Sequence, residues 1–133
     1  MELRQGLQRV SAYRVEQVLA AASRLPDTVV YVLPELGIRD RESFFEAVRQ
    51  RFPLDPPVQT SHSWAALEDS MWSGIDALDV ARVVILWPQS RVMEEAAPAD
   101  FEVAISVWED LADALHDAEA TVGRPKEVCV VIL

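Results

Sequence analysis

The chain has 133 residues, half of them apolar, and a formal net charge of −10, which suits one hydrophobic core and not two domains of ordinary size. No run approaches the roughly 18 uninterrupted apolar residues of a membrane span. Residues 1–6 also lack the apolar stretch and cleavage site of a secretory signal, so the expectation is a cytoplasmic protein organised as one domain over residues 1–133. In chain order, residues 7–15 read as an extended strand and residues 15–25, rich in Ala and Leu, as a helix stopped at Pro26. Together they form an appended unit, residues 1–27, lying over a sheet edge or face.

Residues 28–33 are the first of three continuous apolar runs rich in β-branched side chains, here bounded by Pro26 and Pro34. Strands buried on both faces read this way, whereas half-exposed strands alternate. Asp40 is placed to cap a helix over 40–51, with Phe44, Phe45, Val48 and Phe52 on one face, and Pro53, Pro56 and Pro57 then stop it. A shorter helix over 63–72 turns Trp64, Leu67 and Met71 inward, and Gly74 is expected to end it. Its opposite stripe carries Ala65, Asp69, Trp72 and Asp76. Residues 82–87 are the second strand and residues 92–99 an acidic loop. A helix over 100–117 follows Pro98, with Phe101, Ile105, Trp108, Leu111 and Leu115 on its core stripe. Residues 127–133 close the chain as a third buried strand, which makes Cys129 structural. Strands alternating with helices imply right-handed crossovers and a parallel sheet, an α/β fold.

The charge is unevenly placed. Residues 1–51 carry eight arginines against seven acids, residues 52–133 four basic residues against fifteen acids, and nine acids without one Lys or Arg lie between Glu94 and Glu119. Such a surface repels nucleic acid and attracts a basic protein. Little in the sequence looks catalytic. Gly6, Gly37, Gly74 and Gly123 are too scattered to cradle a phosphate. His62, His116 and Cys129 do not stand at metal-ligand spacing, so no metal or other cofactor is expected. Ser61 and Ser63 beside His62 read as helix caps, because adjacency in sequence is not triad geometry.

The most specific stretch is Ser61-His62-Ser63-Trp64-Ala65-Ala66-Leu67-Glu68-Asp69-Ser70-Met71. It resembles the segment of the barstar family that typically reads Gly-His-Asn-Trp-Asp-Ala-Leu-Glu-Asp-Cys-Leu. The similarity extends from about residue 29 to 133, through residues 83–87 and the closing strand. It implies a barstar-like three-stranded parallel sheet packed with helices over 28–133, and an acidic helix-and-loop surface that plugs the active site of a basic ribonuclease. On that resemblance the chain is an inhibitor or immunity-type protein and not an enzyme, with a ribonuclease or nuclease toxin as partner and neither nucleic acid nor membrane. The expected partner-binding residues are Asp69, Glu68, Trp72, Ala65, Ser61, His62, Asp100 and Glu102. Asp69 holds the position of the family's main phosphate-mimicking carboxylate. The departures face the partner: Ala65 stands where a second contacting Asp is usual, Ser61 replaces Gly, Ser63 replaces Asn, and Thr60 replaces an aromatic residue. The alternatives are an interaction module of the same fold that has lost nuclease binding, or a small-ligand binder or enzyme with an unpredicted pocket.

Overall fold

The computed structural model describes residues 1–59 and 63–133. Four strands, β1 (Gly6–Arg9), β2 (Thr28–Val32), β3 (Arg82–Trp87) and β4 (Glu127–Ile132), form one parallel sheet in the order β1-β4-β3-β2. The three expected strands are β2, β3 and β4, and the strand of the appended N-terminal unit extends the sheet at its β4 edge to four. Without β1, the apolar strand β4 would be an open edge with unpaired backbone groups. With it, β4 is paired on both sides, from Gly6 opposite Cys129 to Arg9 opposite Ile132, and Val10 N–H adds a bond to the Ile132 carbonyl at 3.0 Å. The N-terminal strand is shorter than expected, because the chain turns into a 3-10 turn at Ala12–Arg14 and then into helix α1 (Val15–Ser23).

Alternate residues of the inner strands feed two cores. Val83, Ile85, Trp87, Val128, Val130 and Ile132 pack on one face with α2 (Arg41–Arg51), α3 (Trp64–Asp76) and α5 (Pro98–His116), while Val84, Leu86, Cys129 and Val131 pack on the other with Val18 and Ala22 of α1. Right-handed crossovers explain the division. The steps from β2 to β3 to β4 run in one direction across the sheet, so their helices share a face; the step from β1 to β2 runs back, so α1 takes the other. Arg82 and Glu127, opposite each other in the β3–β4 ladder, pair at 2.8 Å and fix the register at its start. The Gln5 side chain donates to the Ala112 carbonyl at 3.1 Å and accepts from Val128 N–H at 2.7 Å, tying α5 to β4. Cys129 is fully buried on β4, and burial, with Glu127 second, pushes its thiol up to about 11, so it is a structural residue as expected.

Local chemistry sets the helix ends. Asp40 accepts from Ser43 N–H at 2.8 Å and the Ser43 hydroxyl accepts from Asp40 N–H at 3.0 Å, a reciprocal cap that starts α2 where expected. The acidic loop expected over 92–99 is instead a short helix, α4 (Arg91–Ala96), followed directly by α5. Met93 anchors α4 in the core, and the surrounding Glu94, Glu95 and Ala96 are good helix formers whose polarity reads as a loop. The expected stop at Gly74 is also corrected, since α3 continues to Asp76 with Gly74 buried inside it. A Cβ at Gly74 would overlap the Pro53 carbonyl oxygen, so the glycine serves a close approach of backbones. One turn earlier, buried Ser70 donates its hydroxyl to the Pro56 carbonyl, and the Ser70 carbonyl accepts from Asp55 N–H at 3.1 Å. The proline-bearing loop is thereby seated along a small-residue stripe of α3.

Candidate partner-binding face

Three sides of α3 have different neighbours. Leu67, Met71 and Ile75 are fully buried in the core, Ser70 and Gly74 lie under the proline loop, and Ala65 and Asp69 are exposed. The Ser63 hydroxyl caps the helix by accepting from Ala66 N–H at 3.3 Å. At 100° per residue, Glu68 falls on the shoulder between the core stripe and the outward stripe. There it is half-buried, and its carboxyl is raised above the ordinary range by burial first, then by Asp110 of α5 and by Asp69. Glu68, Asp69 and Asp110 thus form one anionic cluster spanning two helices. Among the described residues none of the three has an ion-pair partner, since the salt bridges are Arg9–Glu94, Arg49–Glu46 and Arg82–Glu127.

Other residues expected at the site are placed differently. Trp72, expected on the outward stripe, is partly exposed as well as packed against the core, whereas Trp64, expected to turn inward with Leu67 and Met71, is only half-buried. Trp64 opens the helix and lies against the rings of Phe44 and Phe45, at 5.6 and 5.0 Å between centroids. Asp100 and Glu102 lie in the first turns of α5, beside Phe101, whose ring is 5.4 Å from Trp87. Eight to ten residues separate them from Asp110, about 12 to 15 Å along the helix axis. No described contact brings them to Glu68 or Asp69. Ser61 and His62 lie outside the described residues. Asp110, which is not among the partner-binding residues expected from the sequence, is near enough to Glu68 to raise its carboxyl. The crossing of α5 over α3, which sequence periodicity does not encode, decides that.

No residue of α3 lines any of four clefts found elsewhere on the molecule. Among the described residues no group of three His, Cys, Asp or Glu side chains could hold a metal, and no helix is long and apolar enough to cross a membrane. The family model described as Barstar (barnase inhibitor) matches residues 28–131. The chain belongs to the barstar family. No curated protein and no solved structure matches it. In this barstar-family chain the matched segment starts at β2 and ends within β4, so β1 and α1 lie outside it.

Proposed function

We propose that this barstar-family protein binds a basic ribonuclease or nuclease toxin in the cytoplasm and blocks its active site with the face built by α3 and α5. The carrying observation is the group of Glu68, Asp69 and Asp110 on the packed helices α3 and α5, which has no ion-pair partner among the described residues. A nuclease site collects Arg, Lys and His to hold phosphate, and carboxylates presented there make charge-assisted hydrogen bonds in its place. Asp69, exposed at the centre of the outward stripe, is the anchor, Glu68, Asp110, Trp72 and Ala65 belong to the same face, and Ser61 and His62 are further contacts that the resemblance implies. Asp100 and Glu102 lie farther out and steer. The residues 1–133 act as one domain with no catalytic role.

The test is titration of the protein, Asp69→Ala and Ala65→Asp against a panel of basic ribonucleases. Asp69→Ala is expected to weaken binding by about 2 to 5 kcal/mol, mainly through faster dissociation, a range drawn in part from the barnase–barstar pair itself. Ala65→Asp is expected to tighten it. One observation favours a second reading, an interaction module that has lost nuclease binding: Ala65 is exposed where a second carboxylate would complete the charge. Absence of binding by all three proteins at micromolar concentration would select that reading.

A further inference from the structure

A second site emerges from the way the chain is wound. Parallel α/β sheets place ligands at the carboxyl ends of strands, where successive connections leave for opposite faces and open a crevice between them. In this sheet β1 leaves toward α1 on one face and β3 leaves toward α4 and α5 on the other, with β4 between them. A cleft of about 680 Å3 lies at that point, lined by residues 9–13 at and after the end of β1, residues 89–91 and Glu94 after β3, and the end of β4. The volume falls within the roughly 300 to 1,000 Å3 of small-molecule sites. It shares no lining residue with the acidic face, and its β1 side lies outside the family match.

The side chains in the cleft define what it would accept. Two guanidiniums, Arg9 and Arg91, face one carboxylate, Glu94, which gives the described side chains a positive balance in an otherwise acidic protein. Arg91 is exposed and makes no ion pair among the described residues. Arg9 lies over the Phe101 ring at 5.5 Å and reaches Glu94 through both terminal nitrogens, at 3.3 and 3.5 Å. Those distances exceed the roughly 2.7 to 2.9 Å of a tight charge-assisted pair. The loose fork shows the geometry of an anion on Arg9 and leaves it replaceable. Gln89 holds a left-handed backbone at φ 58°, and Tyr13, 86% exposed, offers an uncovered ring. We propose that this cleft binds a small aromatic oxyanion, its carboxylate or phosphate held by Arg9 and Arg91 and its ring against Tyr13.

Titration of the full chain with phenyl phosphate, benzoate and inorganic phosphate, followed by backbone amide NMR, tests the site and separates phosphate from carboxylate. The expected result is saturable shifts at residues 9–13 and 89–94 with one or both aromatic anions, weakened about tenfold or more by Arg91→Ala. Glu94→Gln, which removes the competing carboxylate, should strengthen the same binding. Because Arg91 is exposed and unpaired, an unchanged spectrum of β4 will show that its variant is folded. Three results would overturn the proposal: no saturation with either aromatic anion by about 10 mM, equal binding by Arg91→Ala, or inorganic phosphate binding as tightly as phenyl phosphate.

Discussion

At Gly74 a missing methyl group sets how the proline loop is seated, and two opposed effects make its replacement informative. In a helix interior Gly→Ala alone stabilises by about 1 kcal/mol. Here the new Cβ would meet the Pro53 carbonyl, a backbone group that cannot rotate away, and overpacking costs about 1 to 3 kcal/mol or more. Gly74→Ala is therefore expected to lower the urea midpoint, and a raised midpoint would mean that the loop is free to move off α3. Glu68 has a different signature, because its raised carboxyl makes stability depend on pH. The folded chain keeps this proton over a range in which the unfolded chain has lost it. Stability contributed at Glu68 thus falls as pH rises from the ordinary 4.5 through the raised value, and the penalty is complete above it. Glu68→Gln should match the parent well below pH 4.5 and become progressively more stable than it as pH rises, read as the difference in Tm across a pH series. A constant difference would place the effect in packing and not in charge.

Helix α3 is an element with three different contacts, and its two tryptophans test the division. Both are half-buried, but among the described residues Trp64 alone of the two lies against other rings, those of Phe44 and Phe45. Trp64→Ala should cost about 3 to 5 kcal/mol in chemical denaturation and Trp72→Ala distinctly less; equal losses would mean that the helix is rotated from this register. The core-facing residues Leu67 and Met71 were legible in sequence because burial follows the helical period. The loop-facing stripe was not, because Ser70 and Gly74 carry no pattern beyond being small, and a glycine near the end of an apolar stretch reads equally as a stop. The strands β3 and β4 were legible for the opposite reason, since both of their faces are covered and the apolar run is unbroken. Strand β2 reads the same way because its residues pack toward both cores, although at the sheet edge they are only half-buried. β1, with Gly6, Gln8 and Arg9 at an edge, carries no such run, and its pairing with β4 depends on partners more than 120 residues away in sequence.

At the scale of the whole molecule, the division of charge follows the fold. Of the acids of residues 52–133, Glu68, Asp69 and Asp76 lie on α3 and Asp100, Glu102, Glu109, Asp110 and Asp113 on α5, whereas Arg9 lies on β1 and Arg41, Arg49 and Arg51 on α2. The acidic balance was plain in the composition. Which acids act together was not, because that depends on how α5 crosses α3, and the crossing separates two residues on α5 that look equivalent in sequence. Both are exposed and without a described ion pair, but Asp110 is near enough to Glu68 to raise its carboxyl, whereas Asp113, one turn further on, has no such effect. If a basic nuclease docks on this face, Asp110 and Asp69 become desolvated together, and removing either leaves a partner cation buried and unpaired. Such losses appear as faster dissociation. Asp113 stays in solvent, where it acts only through the long-range field that salt screens over about 8 to 10 Å. Asp110→Asn is therefore expected to raise the dissociation rate about tenfold or more with little change in association. Asp113→Asn should slow association at low salt, flatten its dependence on ionic strength, and leave dissociation unchanged. Stopped-flow or surface-binding kinetics at two salt concentrations distinguishes the two, and identical behaviour of both variants would remove Asp110 from the anchoring cluster.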